Sequence, residues 1–345
     1  MTDREQTCGL AHRGKGSAVK AVRSKVFLLA KVIASSLLVG YIIRSIDVYA
    51  LYAAVSDADR SLLVLALLMH GIGFGVSAYR WQLLLNALGY HVPMTFLLNS
   101  VFVATFFNNL LPTTIGGDVV RAHDTARYTK SRLSVAFSVI TTDRLTGLFA
   151  LFVFAAIAFV AGLNVFGQDV GVRFVLAAMA GLFVVVGFLL NSRVARQLDR
   201  LLDLPLITRG AAKVRSFYEA LLTYKQHKRI LARVLLLSLV LQVNVIVHYY
   251  LVSLALHQGV SLLYFFLFVP ILISVLQVAP SINGIGYREA GFVILLSKSG
   301  VDTASAVSLS LLTFGMTVAL GALGGIVFAL RRERIDLRGL TASQK

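Results

Sequence analysis

Apolar residues gather into nine runs separated by short polar stretches: 26–43, 61–79, 94–111, 133–162, 172–190, 230–256, 262–280, 285–297 and 303–330. A bilayer core ~30 Å thick is crossed by ~20 helical residues, so runs of this length read as membrane helices. Which of them cross is decided by the side on which each begins and ends. Residues 112–132 carry Arg121, Arg127, Lys130 and Arg132, and Arg80 precedes run 94–111, so both ends of 94–130 fall on the positive inner side. A run that starts and finishes on one side is re-entrant. Segment 94–130 is therefore predicted as a hairpin turning at Pro112, Gly116 and Gly117, residues that interrupt helices. Run 303–330 must exit into the basic tail Arg331, Arg332 and Arg334, which places residue 299 outside. Residues 262–299 then form a second hairpin, entering from the opposite side and broken at Pro280, Gly284 and Gly286.

The predicted fold is an all-α polytopic membrane protein with six full spans and two oppositely oriented re-entrant hairpins, arranged as an inverted repeat. The first repeat is 26–162 with hairpin 94–130. The second is 172–330 with hairpin 262–299 and a polar linker, 191–229. Basic tails, 1–25 and 331–345, flank them. Pro112, Thr113, Thr114, Ile115 and Gly116 line up with Pro280, Ser281, Ile282, Asn283 and Gly284, and Arg121 and Arg288 lie nine and eight residues past their prolines. Interrupted apolar segments at matching positions of two halves point to a transporter's binding site; the competing explanation is Gly and Pro placed for packing alone.

Composition excludes the water-soluble alternatives. Of 345 residues 57% are hydrophobic and 14% charged, against roughly 25% charged in soluble domains, which leaves no room for a large soluble catalytic domain. A net charge of +17 would suggest nucleic acid in a soluble chain. Here the charge sits in blocks: six basic and two acidic residues in 1–25, ten and three in 191–233, five and two in 331–345. Flanking apolar spans, such blocks predict a cytoplasmic N-terminus, linker and C-terminus, attraction to anionic inner-leaflet lipids, and no nucleic-acid partner. Within the linker, Leu198, Leu201, Leu202, Val214, Phe217, Leu221 and Tyr224 recur at helical spacing among Arg and Lys. They suit amphipathic helices lying on the membrane, or a connector packed on the protein's own base. Cys8 stands alone, so no disulfide framework exists. No metal-ligand spacing or dinucleotide fingerprint occurs, and Gly9 to Gly16 lacks the Ser or Thr of a phosphate loop, so neither metal nor cofactor is expected.

Ionisable groups at membrane depth are functional candidates by default. Asp143 and Arg144 fall ~15 Å into run 133–162, and neighbours on a helix diverge by about 100°, so each needs a different partner. Arg144 meeting an anionic ligand and an interhelical salt bridge are both open. In the first hairpin Asn108, Asn109, Thr113 and Thr114 can satisfy an unwound backbone. The helix resuming after Gly117 would aim its amides at an anion, with Asp118 as its cap or as a charged participant, and Arg121 one turn on. The second hairpin offers Asn283, Gly284, Gly286, Arg288 and Glu289. Arg288 and Glu289 are not expected to pair with each other; pairing across hairpins, Arg121 with Glu289 or Asp118 with Arg288, would line a polar cavity at the twofold axis. Asp118, Asp143 and Glu289 are then the groups for charge pairing or ion coupling. Asn244 and His248, spaced i, i+4, suit interhelical hydrogen bonds, and the Gly71/Gly75 and Gly321/Gly325 pairs suit helix packing.

Three segments together, Asn108 to Arg121, Asp143 to Gly147 and Gly284 to Ala290, make the chain resemble the flippase-like family formed by the transmembrane region of lysylphosphatidylglycerol synthases, over residues 26–330. The resemblance implies a multi-pass protein of the bacterial inner membrane that moves a lipid between leaflets. Full synthases carry an aminoacyl-transferase domain after this region; only 331–345 follow here, so lipid aminoacylation is not expected. Free-standing members are associated with polyprenyl-linked sugar, glycolipid or hopanoid pathways, so the lipid stays open. A lipid flippase drawing an anionic headgroup to Arg121, Arg144 and Arg288 leads. An integral-membrane lipid-modifying transferase and a non-transporting partner of a lipid-synthesis enzyme are the alternatives.

Overall fold

The computed structural model describes Tyr49, Tyr52 and residues 56–110, 116–166, 224, 226–278 and 286–330. Both tails, runs 26–43 and 172–190, nearly all of the linker, and the hairpin turns containing Thr113, Thr114, Asn283 and Gly284 lie outside the described residues. The described chain is helical throughout: α1 (Arg60–Ala87), α2 (Met94–Leu110), α3 (Gly116–Thr129), α4 (Leu133–Phe166), α5 (Lys228–Ala255), α6 (Leu262–Val278), α7 (Tyr287–Ser297) and α8 (Thr303–Leu330). Four of these, α1, α4, α5 and α8, are long and apolar enough to cross a membrane. The helices at the predicted hairpins have 17, 14, 17 and 11 residues. At 1.5 Å per residue even the longest reaches only about 25 Å, short of a ~30 Å core.

Local sequence sets the ends of these helices. The Asp59 carboxylate accepts from the Ser61 and Leu62 amides at 2.8 and 3.3 Å and starts α1. Gly89, at φ +81°, reverses the chain after α1, and the Tyr90 amide closes on the Leu85 carbonyl at 3.0 Å. His257, at φ +54°, ends α5 in the same way, with Gln258 N–H on the Ser253 carbonyl at 3.2 Å. One expectation fails here: run 61–79 with Arg80 as a flanking inner charge. Helix α1 continues to Ala87, with Arg80 and Trp81 buried, because a carboxylate inside the protein neutralises that guanidinium.

The two halves repeat. Helices α1 and α5 both have 28 residues and α2 and α6 both have 17, each pair starting 168 positions apart (60 and 228, 94 and 262). Packing follows suit. The neighbours α2–α8 correspond to α6–α4, α3–α4 to α7–α8, and α1–α2 to α5–α6. Helix α1 packs on its own counterpart, α5. They run antiparallel: Asp59 N–H bonds the Ala255 carbonyl at one end, His248 meets the Ala66 carbonyl, and Arg80 reaches Ser238 at the other. Counterparts that touch while antiparallel are related by a twofold perpendicular to the helices, the relation of an inverted repeat. Single contacts obey it too, since the Arg80–Ser238 bond maps onto the His248–His70 contact at 3.4 Å.

Each half carries its own core. Trp81, Leu84, Leu97, Ala122 and Ile140 enclose the first hairpin, while Phe265, Phe268, Phe292, Leu296 and Leu309 enclose the second. Val64, Leu68 and Ile72 on α1, and Leu236, Val240 and Val243 on α5, form exposed apolar stripes at helical spacing, the face a lipid solvent covers. Of the glycine pairs, Gly321 and Gly325 do pack, on Asn109 and Phe106 of α2, and Gly324 lies against the Phe102 carbonyl. Gly71 and Gly75 do not: a Cβ at either meets no atom within 4 Å, and the close approach to α5 is at Gly73, where a Cβ would stand 2.8 Å from Asn244 Oδ1. Asn244 and His248 make interhelical bonds as expected, to the Met69 and Ala66 carbonyls at 3.0 and 2.9 Å.

Candidate functional site

Asp143 lies eleven residues into α4, about 15 Å from its start, and is almost completely buried. Two arginines share its carboxylate. Arg80 of α1 donates to Oδ1 through Nε at 2.8 Å and Nη2 at 2.6 Å, and Arg121 of α3 donates to Oδ2 at 3.1 Å. Arg80 also donates to the Asp143 carbonyl at 2.9 Å and to Ser238 Oγ of α5 at 2.9 Å. Arg121 lies with its guanidinium carbon 4.3 Å from the ring centre of Trp81, a cation–π contact. Its Nε is buried with no acceptor among the described residues.

Arg144, the next residue, turns away from Asp143 and pairs through Nε with Asp118 of α3. Adjacent helix positions diverge, and the sequence reading that Asp143 and Arg144 take separate partners holds. Asp118 lies within the first turn of α3, yet its carboxylate goes to Arg144 rather than capping the helix. The N-terminal amide of Gly117 is satisfied by Asn108 Oδ1 at 2.7 Å instead, and a Cβ at Gly117 would come within 2.5 Å of the Ala104 carbonyl. Asn108 and Gly117 thus draw the two arms of the first hairpin together, holding Asp118 and Arg121 toward α4.

These side chains surround a cavity of about 340 Å³. Its charged wall is Arg80, Asp118, Arg121, Asp143 and Arg144, with the neutral polar groups Ser77, Thr105, Asn108, Gln242 and Gln277 beside it. Phe74, Val101, Leu148, Leu151, Leu241 and Ile273 supply the apolar remainder. Among the described residues the wall holds three guanidiniums and two carboxylates, in a partly desolvated space where electrostatic attraction exceeds its strength in water. Arg144 is the accessible member, its side chain 37% exposed against 10% for Arg121 and 6% for Arg80.

The second hairpin borders this cavity through Ile273 and Gln277 of α6, while its charged residues Arg288 and Glu289 do not line it. Arg288 and Glu289, expected to avoid each other, pair at 2.8 Å. Glu289 folds back onto the Gly286 amide at 2.6 Å, and Ser310 of α8 accepts from Arg288 Nε and donates to Glu289 Oε1, both at 3.0 Å. Two long side chains at a helix start can bridge the 100° between them where the shorter Asp143 cannot. Arg288 also lies over Phe314 at 4.4 Å. The expected cross-hairpin pairs, Arg121 with Glu289 and Asp118 with Arg288, are not formed, because Arg121 is held by Asp143 and Asp118 by Arg144. At the 168-position offset that relates α1 to α5 and α2 to α6, Arg80 falls on His248, Arg121 on Glu289, and Asp143 and Arg144 on Leu311 and Leu312, although α3 and α4 start 171 and 170 positions before α7 and α8. Among the described residues, the charged lining comes from the first half. Asn109, also a sequence candidate, donates to the Thr317 carbonyl of α8 at 3.2 Å and joins two helices. Arg80 was missed; an arginine followed by Trp81 and the apolar Leu83, Leu84 and Leu85 was the available signal.

The model of the lysylphosphatidylglycerol synthase TM region matches residues 28–325. A UPF0104 membrane protein of Pyrococcus horikoshii is 24% identical over 306 residues, covering 81% of this chain and 89% of its own length. A UPF0104 membrane protein of Methanothermobacter thermautotrophicus is 24% identical over 294 residues, covering 78% and 86%. With a match across nearly the whole helical region, and spans to fit, this multi-pass integral membrane protein belongs to the lysylphosphatidylglycerol synthase TM region family.

Proposed function

We propose that the protein is a lipid translocator that admits an anionic headgroup to the cavity between the first hairpin and helices α1, α4, α5 and α6, while the lipid's chains stay in the bilayer. The observation that carries this reading is the three-guanidinium, two-carboxylate wall around a cavity beside the middle of a spanning helix. Charge is costly at that depth and is retained where a substrate path needs it. Arg144, paired with Asp118 and partly exposed, is the first contact for a phosphate. Arg121 and Arg80, fixed by Asp143, supply a standing positive field behind it. Twofold-related halves give such a protein two equivalent ways to pack its hairpins, the basis of alternating access. The membrane is the cytoplasmic one, with the basic tails and linker on its inner face and anionic inner-leaflet lipids against the linker.

The test is a dithionite-quench assay in proteoliposomes carrying fluorescent anionic or neutral lipids. Wild type is expected to move the anionic probe between leaflets and Arg144→Ala to slow it at least tenfold. Equal rates for wild type, Arg144→Ala and empty vesicles across the probes would refute the proposal.

A further inference from the structure

Away from the charged wall, α1 and α5 meet through two imidazoles. His70 lies ten residues into α1, about 15 Å from its start, and its Nδ1 stands 3.4 Å from His248 Nε2 with the rings edge to face. The surroundings assign the hydrogens. A carbonyl oxygen only accepts, so His248 Nδ1, 2.9 Å from the Ala66 carbonyl, carries the hydrogen of its ring. His248 Nε2 is then a lone pair, the hydrogen in the gap belongs to His70 Nδ1, and the lone pair of His70 falls on Nε2. That last nitrogen has no partner among the described residues, and its ring is only half-buried. At the twofold-related position Arg80 meets Ser238, a contact whose charge is permanent; here a proton changes the charge. Helices α2, α4, α6 and α8 pack against this helix pair. Among the described residues α2 and α8 carry no titratable side chain, α6 carries Tyr264, which donates to the Leu295 carbonyl, and α4 carries Asp143 and Arg144, both engaged in the wall. On α5, Tyr249 stands edge-on to His248. Phe74, one turn along α1 from His70 and edge-on to it at 5.3 Å, lines the cavity, so the imidazoles lie one aromatic ring away from it.

Resting on the translocator reading above, we propose that His70 and His248 form a proton-binding site that takes up one shared proton, and that this proton loads and unloads together with the anion in the cavity. The proton adds to the lone pair of His70 Nε2. The hydrogen on His70 Nδ1 then lies between that nitrogen and His248 Nε2 and passes between them, so both rings carry the charge while His248 Nδ1 keeps its hydrogen on the Ala66 carbonyl. Only N–H bonds form or break, and loss of the proton from His70 Nε2 restores the neutral pair. A second proton has no place, because it would set a hydrogen on His70 Nδ1 against a hydrogen on His248 Nε2 across 3.4 Å, with two like charges in contact. A positive charge one ring from the cavity favours an anion there, and by linkage the anion favours the proton to the same degree.

The experiment follows the imidazole nitrogens of the full-length protein, labelled with nitrogen-15 histidine in lipid nanodiscs, by NMR from about pH 8 to about pH 4. The chain has seven histidines, and His70→Gln and His248→Gln identify the pair by the signals each removes; should either fail to fold, the through-space contact between the two rings identifies them in wild type. Wild type is expected to show both rings with their hydrogen on Nδ1 at pH 8, and to take up one proton in a single step that moves the nitrogens of both rings together. Rings that stay neutral throughout, or that titrate in two unlinked steps, overturn the proposal. The second measurement places a fluorescent anionic lipid in proteoliposomes with about one pH unit across the membrane, a difference worth about tenfold to one coupled proton. Wild type is expected to enrich the probe in the leaflet on the alkaline side by up to about tenfold, and His248→Gln and empty vesicles by none. Movement by wild type without that bias overturns the proposal. A shared proton with no transbilayer movement of the probe keeps the proton site and removes the translocator reading alone.

Discussion

At Asp143 a single carboxylate holds two buried guanidiniums. Removing one partner from a buried ion cluster strands charge at a cost of about 3–5 kcal/mol, so Asp143→Asn is expected to lower the melting temperature in detergent sharply. Arg121→Gln leaves the Arg80–Asp143 clasp intact and should be the milder change. Equal melting of the three proteins would contradict the cluster as drawn. Asp143 and Arg144 were legible in the sequence as misfits in an apolar run, and their divergence followed from helix geometry alone. Arg80 was hidden because a charge near the end of an apolar run looks like a flanking residue; what sets it apart is a partner 63 positions away, which periodicity along the chain does not encode. The Arg288–Glu289 pair escaped for a different reason: side-chain length, not the helical angle, decides whether neighbours meet.

Helix by helix, the apolar runs predicted the elements closely, with 303–330 reproduced in full and 262–280 and 285–297 within two residues. Which glycines pack was less legible, since the GxxxG spacing at Gly71 and Gly75 is met but the neighbour it implies is absent, whereas Gly324 touches the Phe102 backbone. Gly324→Leu is thus expected to separate α8 from α2 and abolish folded protein, by loss of a monodisperse size-exclusion peak, while Gly71→Ala leaves it unchanged. The helix starts make a pH prediction. Asp59 and Asp302 are both held below the ordinary carboxylate range, chiefly by the hydroxyls of Ser61 and Ser305 and then by backbone amides. A lowered pKa in the folded state contributes stability that is complete above the unfolded value of about 4 and is lost as pH falls through the folded value. Thermal stability should hold from pH 7 to 5 and decline below pH 4. Replacing both by Asn, which still caps a helix but does not titrate, should flatten part of that decline; an unchanged pH profile would contradict this assignment.

Over the whole molecule, the sequence hinted at a repeat only through two matching Pro-to-Gly turns, and the structure packs α1 antiparallel on α5, a helix of the same length. In a variant with Cys8 replaced by Ser, cysteines at His70 and His248 are expected to cross-link within one chain, because these side chains touch in the antiparallel arrangement; parallel halves would leave them apart. Symmetry of the backbone and asymmetry of the charge together define the account. Both halves build the same scaffold, and among the described residues one half carries the charged wall of the cavity. The most direct measurement is native mass spectrometry of the protein extracted with its membrane lipids. The account predicts that wild type and Gly71→Ala retain an anionic lipid and that Arg121→Gln and Arg144→Ala lose it. Retention of the same lipid by all four proteins would mean that the charged wall is not where the headgroup sits.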